Sequence, residues 1–393
     1  MHYYDRERPA REPWYVWVVV LWMTIVAWLA GQFVFTAPFG EIFRSIDPEA
    51  AARVNELMMA EITDPAVALP MALGVLLLLL GLGLGAIGLM VHFLGARGRG
   101  SLVTGLIGVF ITFAGLAFFL VANSGASESS ALLMSVIGLS PLAYLLMLLT
   151  FPAALGGLYW GWKAVMERSL TNLHTVFARF SWGRTIQSFV IGWAVLGGFT
   201  LVLTLLGVAS PRFVFDSSRF LPFALISLLF LPIQSATEEI VVRGFMNKGL
   251  IRFLGNKWVA FTLTSGLFMA LHLANPEAQA GAEAGILPIV MSGYFFFGFA
   301  ACLMVLIDDG LESAIGVHAA NNTFAAIFVN YEGSVLPTPS VWIVTPDPTY
   351  DAIATIVVLS AILGVLWVTR KPWLARKRAP LPGTRWTTAE EFA

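Results

Sequence analysis

The chain has 393 residues, 58% of them hydrophobic and 12% charged, with a formal net charge of −1 and a mean hydropathy of +0.80. So much apolar sequence exceeds what a water-soluble core can hide, which excludes an ordinary soluble protein and makes lipid the solvent. The near-neutral charge gives no footprint for nucleic acid, and the single cysteine, Cys302, excludes both a disulfide framework and a Cys-based zinc site.

A hydrocarbon layer of about 30 Å needs roughly 20 helical residues to cross it, and the backbone inside it must satisfy its own hydrogen bonds. Stretches of that length predict an all-α, polytopic bundle of about ten transmembrane helices in the cell membrane. The spans run from Trp14 to Phe35, Ala66 to Leu94, Leu102 to Ala122, Leu142 to Trp162, Phe189 to Val208, Leu221 to about Leu250, Trp258 to Ala274, Ile286 to Ile307, Leu311 to Val329 and Ala352 to Val368. Arg6, Arg8 and Arg11 precede the first span, which is too long for a signal-peptide core and lacks a small-x-small cleavage site, so it is expected to be a retained helix. In the second span Gly81 and Gly85 form a small-xxx-small pair that predicts close helix packing.

Lys163 to Ser188 mixes basic residues with Leu173, Val176, Phe177, Phe180 and Trp182 and reads as a basic amphipathic interfacial linker. It separates an N-terminal membrane region of about four helices (1–162) from a six-helix core (189–370), with a basic tail at 371–393. Of the 23 Lys and Arg residues, 18 fall in alternate connections and termini. Arg44, Arg53, Arg212 and Arg219 lie on the opposite side, and Arg243 lies within the sixth span. The positive-inside rule therefore predicts both termini in the cytoplasm. The run from Asn275 to Gly285 is expected as an outside loop, with a flap over the site as the alternative. The connection around Pro337, Pro339, Pro346 and Pro348 is expected as an ordered outside loop, and His92 and His174 are assigned surface roles.

Polar residues of the spans concentrate in the second half. The sixth span carries Glu238, Glu239 and Arg243, each expensive in hydrocarbon and therefore a functional candidate. Glu239 and Arg243 stand at i and i+4 in the order favourable for a helical ion pair, whereas Glu238 points about 100° away. The seventh span carries Phe268 and His272, and the ninth sets His318 and Asn322 on one helical face, with Asn321 on another. Glu238 and His272 each lie 17 residues from Gly255, so an antiparallel hairpin turning there would bring them level. A carboxylate beside an imidazole can hold and deprotonate water, while a second imidazole and an amide can donate to an oxyanion, which is the chemistry of amide hydrolysis. The same residue types also suit a zinc ion held by Glu238, His272 and His318.

The three elements Glu238-Glu239-xxx-Arg243, Phe268-xxx-His272 and His318-xxx-Asn322 resemble the motif set of the CPBP family of intramembrane proteases. That family includes type II CAAX prenyl endopeptidases and bacterial lysostaphin-resistance and bacteriocin self-immunity proteins. The resemblance runs from about Thr185 to Arg370 and leaves the first four spans outside it. It implies an intramembrane endopeptidase acting on a membrane-associated or lipid-modified substrate. In that reading Glu238 and His272 activate water, His318 and Asn322 stabilise the oxyanion, and Glu239, Arg243 and Phe268 support them. A metal-free mechanism is the expectation, with zinc as the alternative. A non-proteolytic scaffold or immunity-type protein of the same fold, and a proton-coupled transporter, are the competing readings. The transporter would require inverted halves, yet the polar residues sit in one half only.

Overall fold

The computed structural model describes residues 3–4, 13–94, 98–122, 128–331, 333–345 and 347–377. Arg6, Arg8, Arg11, Arg97, Pro346 and the tail beyond residue 377 lie outside the described residues.

The first half contains α1 (Trp14–Thr36), α2 (Phe39–Ile46), α3 (Pro48–Thr63), α4 (Pro65–Leu94), α5 (Arg99–Ala122), α6 (Glu128–Met134), α7 (Val136–Leu139) and α8 (Pro141–Ala164). The second half contains α9 (Thr171–His174), α10 (Trp182–Leu205), α11 (Ser217–Glu239), a π-helical segment (Ile240–Met246), α12 (Asn247–Leu254), α13 (Lys257–Leu271), α14 (Pro276–Glu283), α15 (Leu287–Asp308), α16 (Glu312–Ile327) and α17 (Pro348–Lys377). The molecule is a polytopic helical membrane bundle, and every predicted span is a helix.

Among the described residues, eight helical stretches are long and apolar enough to cross a membrane, or nine if α13 and α14, which meet at 85°, form one broken span. The remaining predicted span, α16, has only 16 residues, and Glu312 to Ala320 form an unbroken buried run. It is the central helix, packed between α10 and α11. Small residues allow the approach to α10: a Cβ on Gly316 would lie 2.4 Å from the Thr185 carbonyl, and one on Gly192 would lie 2.6 Å from the Ala320 Cβ. In the N-terminal half, α4 and α5 pack through glycines. The predicted close packing at Gly81 holds, since a Cβ there would lie 2.4 Å from the Thr112 amide nitrogen.

Of the three apolar cores among the described residues, two join the halves of the chain. One joins Trp17 of α1 and Leu158 and Trp162 of α8 to Ile240, Phe245, Phe261 and buried residues of α15, α16 and α17. The other joins Phe39 and Phe43 of α2, Tyr144 and Leu148 of α8, Phe223 and Leu231 of α11, and Ala326 and Ile327 of α16. Both cores therefore cross the linker at 163–188. Tyr3 and Tyr4 are buried in the first core, with the Tyr4 hydroxyl 3.2 Å from the Arg243 carbonyl in the π-helical segment.

The linker region departs from a purely interfacial stretch. Ser181 caps α10, which begins at Trp182, and Arg184 is fully buried in a bidentate pair with Asp308, both contacts at 2.9 Å. Its remaining donors reach Gln187, Thr369 and the Leu366 carbonyl. An arginine counted among those of the connections is thus the staple that joins α10, α15 and α17. His174, expected at the surface, is half-buried and ties Tyr159 of α8 to the Leu170 carbonyl at 2.7 Å each.

At the opposite end three short strands, β1 (Arg212–Phe213), β2 (Val329–Tyr331) and β3 (Trp342–Val344), form a sheet of order β1-β3-β2. The first pair is antiparallel, with Phe213 opposite Trp342, and the second is parallel, with Tyr331 opposite Val344. The predicted outside loop at Asn275 to Gly285 is instead mostly the short helix α14, started by Pro276 at its first turn.

Candidate active site

The site assembles from α11, the π-helical segment, α13, α15 and α16. Asp216 caps α11 through its side chain, and the helix accommodates Pro222 and Pro232 before passing into the π-helical turn that follows Glu239. A π-helical turn widens the helix by one residue and re-aims its side chains, which is why such turns recur at functional sites. Glu239 faces inward and is fully buried, whereas the adjacent Glu238 side chain retains 22% of its exposure.

Glu239 and Arg243 form the predicted ion pair at 3.0 Å, both fully buried. Arg243 also donates to the Gly298 carbonyl of α15 at 3.1 Å and lies 4.7 Å above the Phe268 ring. The same Glu239 oxygen accepts from Nδ1 of His318 at 2.8 Å. That bond sets the His318 ring so that Nε2 faces Glu238, with 3.8 Å between Nε2 and Oε2. Phe297 and Phe268 flank the His318 ring at centroid distances of 4.9 and 6.3 Å.

A second chain of bonds fixes Glu238 and Asn322. Gln234, one turn before Glu238, donates its amide to Glu238 Oε1 and accepts from Asn322 Nδ2 at 2.9 Å. Asn322 Nδ2 is also 3.3 Å from Ser235 Oγ, and Asn321 donates to Asn322 Oδ1 at 3.2 Å. Gln234 thus bridges two candidate residues, and spacing arguments pass over it because an uncharged amide carries no charge anomaly in an apolar helix. Its signal is its place at i−4 to a membrane carboxylate.

His272 ends α13. Its Nδ1 bonds to the Phe268 carbonyl at 2.6 Å, one turn earlier, which leaves Nε2 as the ring nitrogen available to the site. The ring lies 4.5 Å from Phe268 and stacks on Tyr294 of α15 at 4.6 Å and 28°. Among the described residues no hydrogen bond or ion pair joins His272 to Glu238 directly. All seven residues singled out from the sequence therefore fall in one cluster. Glu238, His272 and Asn322 keep some exposure, while Glu239, Arg243, Phe268 and His318 form the buried backing.

Among the described residues no group of three or more His, Cys, Asp and Glu side chains has an arrangement that could hold a metal ion. His318 turns Nδ1 to Glu239 and His272 turns Nδ1 to a backbone carbonyl, which leaves Nε2 of each ring towards the site.

A family model described as type II CAAX prenyl endopeptidase Rce1-like matches residues 217–324, the stretch from the start of α11 into α16. The chain is 30% identical over 223 residues to an uncharacterised protein, YyaK, of Bacillus subtilis (strain 168), covering 56% of this chain and 73% of that relative. No solved structure matches.

Proposed function

The chain belongs to the Rce1-like family of type II CAAX prenyl endopeptidases, and on that premise we propose that it is an intramembrane endopeptidase that hydrolyses a peptide bond of a membrane-associated or lipid-modified substrate. The observation that carries the reading is the division of labour between two adjacent carboxylates: Glu239 is neutralised by Arg243 and spent on orienting His318, while Glu238 remains part-exposed, bonded to the Gln234 amide and facing the His318 imidazole.

In this mechanism Glu238, with His272 Nε2 on the neighbouring helix, holds the attacking water and takes its proton as the oxygen adds to the scissile carbonyl. His318, through Nε2, and Asn322, through its amide, stabilise the oxyanion that develops. Asn322 is tied to Gln234 and Ser235, so substrate exchanges one of those bonds for a bond to the oxyanion. Collapse of the intermediate returns the proton from Glu238 to the leaving amine.

The test is cleavage of a fluorogenic membrane-peptide library by purified protein in detergent, beside Glu238→Ala, Glu238→Gln and His272→Ala, each with and without chelator. The expected result is wild-type cleavage that falls about 100-fold or more in each variant, as for loss of a general base, with no effect of chelator. Retained activity in Glu238→Gln would overturn the assignment of the base. Chelator-sensitive activity restored by zinc would overturn the metal-free mechanism, and a folded wild type that cleaves nothing would favour a scaffold.

A further inference from the structure

We infer that Tyr294 is a positioning residue for His272, held in place by Glu277 and Asn275 from the broken α13–α14 hairpin; the inference rests on His272 taking part in the proposed hydrolysis. His272 sits where helical support ends. Helix α13 stops at Leu271, and the chain turns by 85° into α14. The bond from Nδ1 to the Phe268 carbonyl fixes one edge of the imidazole, but a single hydrogen bond leaves the ring plane free to rock about it. The faces of the ring are held by Phe268 at 4.5 Å, from its own helix, and by Tyr294 of α15, stacked at 4.6 Å.

Tyr294 is itself held by its hydroxyl. That oxygen accepts from Asn275 Nδ2 at 3.0 Å and donates to Glu277 Oε2 at 3.4 Å. The other Glu277 oxygen accepts from the Tyr331 hydroxyl of β2, whose place is set by its pairing with Val344. Polar groups of the α13–α14 connection and of α14, the latter backed by the small sheet, therefore converge on one stacked ring of α15. Packing alone would need only an aromatic ring, and a phenylalanine would supply it. Helix α14 has little slack to move away, because Ala278 is buried and a Cβ on Gly281 would lie 2.7 Å from Val290 Cγ2.

The inference is tested with Tyr294→Phe, Tyr294→Leu, Glu277→Ala and the Tyr294→Phe/Glu277→Ala double variant, each first checked for wild-type elution and unfolding temperature. Two readouts are made on each protein. The first is kcat and KM on a peptide the wild type cleaves. The second is the rate of acylation of His272 by diethyl pyrocarbonate, read by mass spectrometry against His174, whose two ring nitrogens are both hydrogen-bonded. Misplacing a reacting group by about 1 Å costs up to about 100-fold, so Tyr294→Leu is expected to lower kcat about 10- to 100-fold with KM changed by less than about 3-fold. Tyr294→Phe and Glu277→Ala are expected to give equal, smaller losses. The double variant is expected to be no worse than either, because both remove the same tether. His272 acylation should rise about 3-fold or more in Tyr294→Leu and Glu277→Ala, with His174 unchanged, as a freed ring samples more orientations. Additive losses in the double variant, or a rise in KM with kcat intact, would overturn the inference. Unchanged His272 labelling would also overturn it. Should Tyr294→Leu fail to fold, Tyr294→Phe and Glu277→Ala carry the test. A wild type that cleaves nothing would sink the hydrolytic reading, and the labelling would still decide whether Tyr294 and Glu277 position His272.

Discussion

At the scale of single residues, the charged members of the site stand out in one dimension and the uncharged members do not. A carboxylate or guanidinium in a hydrocarbon-length helix is anomalous by several kcal/mol, so Glu238, Glu239 and Arg243 are legible from position alone. Gln234 and Tyr294 are cheap enough to occur anywhere, and only contacts between helices reveal what they hold. Because Gln234 bridges Glu238 and Asn322, Gln234→Leu is expected to lower kcat by about 10-fold through lost pre-organisation with little change in unfolding temperature. Cleavage kinetics beside thermal unfolding in detergent check this. The ion pair makes the opposite kind of prediction. Arg243→Met strands a buried Glu239 carboxylate and should cost about 3–5 kcal/mol in denaturant unfolding. Adding Glu239→Gln should recover much of that loss, because the Gln amide oxygen still accepts from His318 while carrying no charge.

At the scale of elements, the long helices follow from apolar length, whereas the short ones depend on what they pack against. Helix α14 and the three strands are two to eight residues long, too short for any periodicity to register, and the π-helical turn at Ile240–Met246 is invisible in a pattern that reads as one continuous span. Helix α16 was legible as helical, but its central place depends on glycines whose missing Cβ atoms matter only against a particular neighbour. Gly316→Val is therefore expected to separate α10 from α16 and to lower the unfolding temperature sharply, whereas Gly183→Val, at a glycine with nothing within 4 Å of a Cβ, should change it little. The linker offers a pH test. Burial chiefly pushes the His174 pKa below its ordinary 6.5, against a raising backbone bond from Leu170 and with a further lowering by nearby Lys248. The unfolded chain then binds more protons than the native chain between the depressed value and 6.5. Stability is complete above that window and is lost as pH falls through it. Unfolding temperatures taken between about pH 7 and about pH 5 should fall less steeply for His174→Gln than for wild type.

At the scale of the whole molecule, the two halves share two apolar cores. Trp17 of α1 stacks on Phe245 of the π-helical segment at 5.3 Å, and Trp162 of α8 meets the same ring edge-on at 6.1 Å. Tyr144 of α8 stacks on Phe223 of α11 at 5.5 Å. A chain beginning at residue 163 would expose these faces, so it is expected to elute as aggregate where the full chain is monodisperse, a comparison that size-exclusion chromatography in one detergent makes directly. The family match begins at residue 217, yet the helices before it complete the packing around the segment that carries Glu239 and Arg243. What the amino-acid order determined by itself was the solvent, the rough limits of the long apolar helices, and the set of charged and imidazole groups, because the cost of polarity in lipid is written at each position independently. What the tertiary structure alone decided was which carboxylate is buried and which is open, that His318 is oriented by Glu239, and that Gln234 and Tyr294 hold the site. Those are properties of side chains brought within hydrogen-bonding or stacking distance by the packing of separate helices, and no local pattern encodes that distance.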